Sequence, residues 1–122
     1  MKPGKTGISR IFAATTYSIK GIKHSWRNEA AFRQESILAC LLFPAAFFVG
    51  QSATEVALLI LCLFIVLITE LVNSAIEAIV DKTSPEIHPL AGAAKDCGSA
   101  AVCLSLIATV VIWGILTFAN FT

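Results

Sequence analysis

Charge is scarce in this sequence, and the motifs of soluble catalytic domains are missing from it. Charged residues make up 14% of the 122 residues, whereas a soluble domain of this size carries about 25%. The four cysteines show no CxxC spacing and the two histidines stand far apart, which disfavours a disulfide framework or a His/Cys metal centre. The sequence contains neither a dinucleotide-binding fingerprint nor the motif set of soluble kinases, and no nucleic acid partner is expected.

What the chain has instead is apolar sequence. Hydrophobic residues make up 57% and the mean hydropathy is +0.80, which predicts a small all-α membrane protein whose residues 1–122 form one domain. Three membrane spans are predicted at about 33–50, 53–80 and 92–121, since a hydrocarbon core needs about 20 helical residues. Before them, residues about 8–28 place basic and apolar side chains at helical spacing, which predicts an amphipathic helix on the membrane surface.

The basic residues predict how the chain is oriented. Of nine Lys and Arg residues, seven precede the first apolar segment, and the other two, Lys82 and Lys95, lie between the second and third. Short loops rich in Lys and Arg remain cytoplasmic. We therefore expect the N-terminus inside, a turn near 50–55 outside, a loop over 81–97 inside and the C-terminus outside.

One stretch combines apolar and acidic character. Residues 56–68 are all apolar, and Glu70, Asn73, Glu77 and Asp81 follow at spacings of 3, 4 and 4, which places them on one stripe of a helix. A carboxylate in hydrocarbon costs roughly 2.5–3.5 kcal/mol, so two glutamates on one face of an apolar helix indicate a function. Three helices cannot enclose such a polar site alone, and we expect an oligomer.

The predicted topology brings five acids to one interface, together with basic side chains. The acids are Glu29, Glu70, Glu77, Asp81 and Asp96, and the bases are Arg10, Arg33 and Lys95. Carboxylates suit Mg²⁺, Lys and Arg suit phosphate, and a half-buried carboxylate can act as a general base. These are the parts of a phosphoryl-transfer site. Intramembrane acids can also line an ion path or join helices by hydrogen bonds, so an enzyme, an ion-translocating protein and a structural membrane protein all stay open.

Three blocks of the sequence resemble one family. They are Glu-Leu-Val-Asn-Ser-Ala-Ile-Glu-Ala-Ile-Val-Asp at 70–81, Asn-Glu-Ala-Ala-Phe-Arg-Gln-Glu at 28–35 and Ala-Lys-Asp-Cys-Gly-Ser-Ala-Ala-Val at 94–102. They are similar to the small bacterial integral-membrane diacylglycerol kinases, from about Gly7 onwards. The resemblance implies a homotrimer in the cytoplasmic (inner) membrane that phosphorylates diacylglycerol with ATP and Mg²⁺, giving phosphatidic acid for phospholipid recycling. An undecaprenol kinase is the alternative within this chemistry.

The resemblance also implies roles for individual residues. Glu70 matches the general base, and Glu29 and Glu77 match the acids that hold the metal ion. The nucleotide site would include Arg10, Tyr17, Glu29, Glu77, Glu86, His88, Lys95 and Asp96. The lipid site would include Arg10, Ser18, Trp26, Arg33, Gln34, Glu35, Glu70 and Ser99. Asn73 and Asp81 match supporting positions. Pro85 and Pro89 make the second loop richer in proline than is usual in the family.

Overall fold

The computed structural model describes residues 6–83, 86 and 88–122. These described residues form four α-helices and no β-strand: α1 (Gly7–Asn28), α2 (Ala30–Val49), α3 (Ala53–Thr83) and α4 (Pro89–Phe121). The all-helical class predicted from the sequence is confirmed. The helices α2, α3 and α4 are each long and apolar enough to cross a membrane, and they correspond to the three predicted spans.

The helix boundaries follow local chemistry. Glu29 alone separates α1 from α2, with an extended backbone at φ −120° and ψ 107°. The helix α3 continues to Thr83, so Asp81 lies in the helix rather than at the start of the predicted loop. Its continuation fits the sequence, which contains no glycine or proline between Gly50 and Pro85. Pro85 itself lies outside the described residues. Pro89 opens α4, the position at which its missing N–H costs nothing.

The helix α3 lies at the centre of the fold and packs against both α2 and α4. Leu59 on α3 is fully buried, as is Ala46 on α2, and Phe32 is 4% exposed. The turn between α2 and α3 is tight, because a Cβ at Gly50 would lie 2.9 Å from the backbone nitrogen of Val56. Large apolar side chains on the outer faces are exposed, as expected where a helix faces lipid rather than a protein core.

Polar side chains join α3 to α4 inside this apolar bundle. The hydroxyl groups of Thr69 and Ser105 lie 3.0 Å apart, and the indole nitrogen of Trp113 donates to the carbonyl oxygen of Leu59 at 3.2 Å. Where water is absent, polar groups on neighbouring helices bond to each other. These contacts set the rotation of α4 about its axis, and therefore which residues of α4 face the acidic stripe of α3.

A second polar cluster ties the three long helices together at the opposite end of α3. The amide nitrogen of the Asn120 side chain donates to the carbonyl oxygen of Val49 and to Oε1 of Glu55, each at 2.7 Å. The backbone N–H of Gln51 donates to the same carboxylate oxygen at 3.1 Å. This cluster joins α2, α3 and α4 far from the acids predicted to be functional.

Candidate functional site

Glu70 is the deepest acid of the stripe. It lies in the middle of α3 and is only 6% exposed, and its carboxyl group lies beside the carboxyl group of Glu35 on α2. Oε2 of Glu35 is fully buried and has no hydrogen-bond partner among the described residues. Two adjacent carboxylates repel each other when both are ionised. The pair therefore places an acid in an apolar part of the bundle, where it could accept a proton from a substrate hydroxyl group.

Glu77 lies two turns further along α3, about 10 Å from Glu70 at 1.5 Å per residue. It is half-buried, and its Oε1 accepts a hydrogen bond of 2.9 Å from the side-chain amide of Asn73. The amide lies one turn before the carboxylate on the same helical face, so the spacing of four residues makes this bond possible. Asn73 thus holds the carboxylate of Glu77 in one orientation.

A cation lies next to this carboxylate. Lys95 on α4 forms an ion pair of 2.8 Å with Asp81, and it also lies close enough to Glu77 to interact with it electrostatically. The side chains of Lys95 and Asp81 are 42% and 64% exposed, so the pair faces water. An exposed pair of this kind contributes little to stability.

Glu29 occupies the junction of α1 and α2. Its backbone N–H donates to the carbonyl oxygen of Ser25 at 2.9 Å, and its own carbonyl oxygen accepts the N–H of Arg33 at 3.2 Å. Its side chain makes no capping hydrogen bond at either helix end. The carboxylate is therefore not needed to satisfy the backbone at the junction, and it can bind a ligand.

Arg33 and Trp26 are joined by a contact that the sequence did not predict. The guanidinium of Arg33 donates to the carbonyl oxygens of Trp26 at 2.8 Å and of Arg27 at 3.2 Å. These carbonyls belong to the last turn of α1, where the helix itself supplies no donors. Arg33 therefore fixes the end of α1 against the start of α2. The sequence predicted Arg33 as a phosphate-binding cation and as a lipid-site residue, and not as a cap for α1.

A cleft between α1 and α3 contains three hydroxyl groups. It has a volume of about 380 Å³ and is lined by Ser18, Gly21, Ile22, His24, Ser25, Leu71, Ser74, Ala75 and Ala78. Ser18 was predicted from the resemblance, but Ser25 was not, although it is only 3% exposed. A serine in the middle of a basic amphipathic pattern carries no signal of its own. Its burial arises from the packing of α1 across α3.

The remaining predicted residues are exposed on the surface of the chain. Arg10 and Tyr17 are exposed on α1, with Lys20 5.8 Å above the ring of Tyr17. His88 caps α4, since its Nδ1 accepts the N–H of Leu90 at 3.1 Å. Exposed side chains are also found at Gln34, Glu86, Asp96 and Ser99. The single chain therefore assembles only part of the predicted site, in pairs rather than as one cluster.

The acids could hold a metal ion together with the phosphates of a nucleotide. In the described part of the chain, no three His, Cys, Asp or Glu side chains lie together as a metal site. Mg²⁺ that arrives with a nucleotide needs only one or two protein carboxylates, because phosphates and water complete its shell. The half-buried carboxylate of Glu77, oriented by Asn73, and the uncommitted carboxylate of Glu29 fit such an ion by the chemistry of their oxygens.

The fold and the acids along α3 define a small helical membrane protein with a polar site in an apolar bundle. The sequence model described as "Prokaryotic diacylglycerol kinase" matches residues 16–117. The chain belongs to the prokaryotic diacylglycerol kinase family.

Individual relatives agree over nearly the whole chain. Diacylglycerol kinase of Escherichia coli strain K12 is 45% identical over 121 residues, which cover 99% of both chains. Diacylglycerol kinase of Pseudomonas aeruginosa is 49% identical over 110 residues, covering 90% of this chain and 89% of the relative. That of Haemophilus influenzae is 42% identical over 113 residues, or 93% and 96% of the two chains. The resemblance found in the three sequence blocks is thereby confirmed.

Proposed function

We propose that this protein transfers the γ-phosphoryl group of ATP to the primary hydroxyl group of diacylglycerol, giving phosphatidic acid and ADP. The observation that carries the proposal is the burial of Glu70 at 6% exposure in a helix apolar enough to span a membrane. A lipid alcohol presents its hydroxyl group near the headgroup boundary, where a water-soluble base cannot reach it easily. A glutamate on a spanning helix can meet it there.

Glu70 is the general base in this mechanism. Its carboxylate accepts the proton of the lipid hydroxyl, and the resulting oxygen nucleophile forms a bond to the γ-phosphorus. The bond from the γ-phosphorus to the β–γ bridging oxygen breaks, and ADP leaves with that oxygen. Glu70 then releases the proton to water.

Glu77 and Glu29 would hold the Mg²⁺ that accompanies ATP, and the ion would neutralise charge on the phosphates when bound. Lys95 presents its charge beside Glu77, where it is suited to a phosphate oxygen. Arg10, Tyr17, Glu86, His88 and Asp96 complete the proposed nucleotide site. Glu77 lies about 10 Å from Glu70 along α3, nearer the end of the helix, so it would hold the ion apart from the base.

The cleft between α1 and α3 is the proposed entrance for the lipid headgroup, with Ser18 on its wall. Trp26, Arg33, Gln34, Glu35 and Ser99 belong to the same proposed lipid site, and Arg10 would serve lipid and nucleotide alike. The helix α1 is proposed to lie on the membrane surface with its basic side chains towards lipid headgroups. Asn73 and Asp81 support Glu77 and Lys95 through their hydrogen bonds.

A complete site needs more than one chain, because one chain leaves Asp96 and Ser99 of α4 exposed. We propose a homotrimer in the bacterial cytoplasmic membrane, with the N-terminus inside and the C-terminus outside, which recycles diacylglycerol into phospholipid. Native mass spectrometry in detergent tests the trimer. A reporter that is active only outside the cytoplasm, fused at residue 88, tests the orientation, and strong activity of this fusion would reverse it.

The activity is tested by incubating the purified protein with labelled ATP and lipid in mixed micelles. Diacylglycerol and undecaprenol are offered separately, and the labelled product is identified. Labelled phosphatidic acid that disappears when Mg²⁺ is removed, and in Glu77→Gln, is the expected result. Faster labelling of undecaprenol would establish the alternative substrate, and no ATP-dependent labelling of either lipid would favour the ion-translocating or structural alternative.

A further inference from the structure

Gly98 on α4 lies directly against the side chain of Asn73 on α3. It is one of the two buried residues of α4. A Cβ added there would overlap Oδ1 of Asn73 and would lie 3.2 Å from its Cγ and 3.5 Å from Cδ1 of Ile76. The two helices are therefore in contact through the backbone of one and the amide of the other, which only a glycine permits.

The hydrogen bond to Glu77 fixes which way the amide of Asn73 points. Its Oδ1 is buried without a hydrogen-bond partner among the described residues and faces Gly98, while its Nδ2 donates to Glu77. The reverse orientation would place the amide oxygen against a carboxylate, so the observed one is electrostatically favoured. An oxygen that rests on a glycine Cα can form a weak C–H···O contact. The backbone of α4 thus holds one end of the amide and Glu77 holds the other.

A methyl group at position 98 can be accommodated at low energetic cost in only one way, by rotation of the Asn73 side chain. The alternative, separation of α3 from α4, would disrupt their packing along the whole bundle. Rotation breaks the hydrogen bond to Glu77, because that bond depends on the present angle of the amide. The effect of the methyl group is therefore expected at Glu77 rather than in the fold.

We propose that Gly98 is a positioning residue, which sets the divalent-cation affinity of Glu77 by holding the Asn73 amide in the orientation that donates to it. This rests on the proposed role of Glu77 in holding Mg²⁺. Outer partners that orient a metal ligand typically change metal affinity by 10- to 100-fold when they are lost. We expect Gly98→Ala to weaken cation binding by about 10-fold or more.

Gly92 provides a matched control. It lies on the same helix, it is exposed, and a Cβ added there meets nothing within 4 Å. Alanine raises helix propensity at both glycines by a similar amount, so only the contact with Asn73 distinguishes them. The double variant Asn73→Ala/Gly98→Ala removes the target of the new methyl group. If that contact is the cause, Gly98→Ala has no additional effect in the Asn73→Ala background.

Two measurements on the full-length protein in detergent decide the matter. The first is the NMR signal of the Asn73 side-chain amide, which reports its hydrogen bond without a metal. The second is Mn²⁺ binding in the presence of a non-hydrolysable ATP analogue, followed by electron paramagnetic resonance. We expect Gly98→Ala to shift the amide signal and weaken Mn²⁺ binding, and Gly92→Ala to change neither.

The outcomes separate the positioning role from the proposed function. An unchanged amide signal in Gly98→Ala, or Mn²⁺ binding equal to that of Gly92→Ala, overturns the proposal. Additive losses in the double variant would do the same. If wild-type protein binds no Mn²⁺ with the nucleotide, the metal role of Glu77 fails, and the functional part of the proposal fails with it. If Gly98→Ala does not fold, recovery of folding in the double variant supports the contact with Asn73. If neither variant folds, the proposal is overturned.

Discussion

Replacing Glu70 by glutamine should lower activity and raise stability in the same molecule. The substitution keeps the shape of the side chain and exchanges one carboxylate oxygen for an amide nitrogen that donates hydrogen bonds. In the wild-type protein Glu70 lies against Glu35, whose Oε2 is buried without a partner among the described residues. Glutamine at position 70 would supply a donor to that oxygen and remove the repulsion between two acids.

The size of each effect follows from the structure. A buried acceptor without a partner costs about 1–3 kcal/mol, and the new donor recovers part of this, so we expect a gain of about 1 kcal/mol in the free energy of unfolding. Positioned general bases contribute typically about 100- to 10,000-fold to rate. Loss of the base should reduce the phosphorylation rate by this factor, while the KM for ATP stays near its wild-type value because Glu77 is untouched.

The free energy of unfolding is measured by denaturant titration in detergent micelles with circular dichroism, and the rate by labelled phosphate transfer to diacylglycerol. Glu55→Gln is the matched control, since it is the same change near the other end of α3. Glu55 accepts hydrogen bonds from Gln51 and Asn120, and a neutral amide oxygen accepts them less strongly. This control should therefore gain no stability and should keep its activity.

Two results would refute the reasoning. An activity of Glu70→Gln within tenfold of the wild-type rate would remove Glu70 from the role of base. A loss of stability larger than that of Glu55→Gln would show that the Glu70 carboxylate stabilises the fold, so that its burial serves structure rather than chemistry.

Three further predictions concern other parts of the site and fold. Lys95→Met should raise the KM for ATP several-fold without changing the melting temperature. Asp81→Asn leaves the cation in place and should change the KM for ATP less. Steady-state kinetics and thermal melting check both variants. Arg33→Lys should expose the end of α1, because lysine cannot donate to two carbonyls as a planar guanidinium does, and limited trypsin digestion after Arg27 should become faster. Asn120→Ala should lower the melting temperature through loss of the contacts among three helices, but it should leave the KM for ATP unchanged, since it lies at the far end of the bundle.

Much of this architecture could be predicted from local sequence. Apolar runs free of charge identify α2, α3 and α4, because hydrocarbon excludes ionised groups wherever they occur in the chain. The acidic stripe of α3 follows from the 3.6-residue period alone, since side chains four residues apart meet on one helical face. The hydrogen bond from Asn73 to Glu77 also follows from the spacing of four residues. The roles of these residues as base, metal ligand and nucleotide contacts stay predictions from resemblance.

The pairs between helices could not be predicted in this way. The contact of Glu35 with Glu70, the guanidinium of Arg33 on the carbonyl of Trp26 and the burial of Ser25 have no local pattern behind them. Each depends on how far one helix is rotated and shifted against another. That geometry results from packing summed over the whole bundle, to which any one residue contributes only a small part.

Local sequence thus specifies the membrane-spanning helices, the face that carries the acids and the family, because periodicity and composition act over short stretches of chain. Helix packing selects which acid meets which partner. Gly98 illustrates the difference, since in sequence it is one small residue among several between 91 and 101. Only the close approach of α4 to α3 makes it the residue that orients Asn73, because a missing side chain matters only where another helix occupies its space.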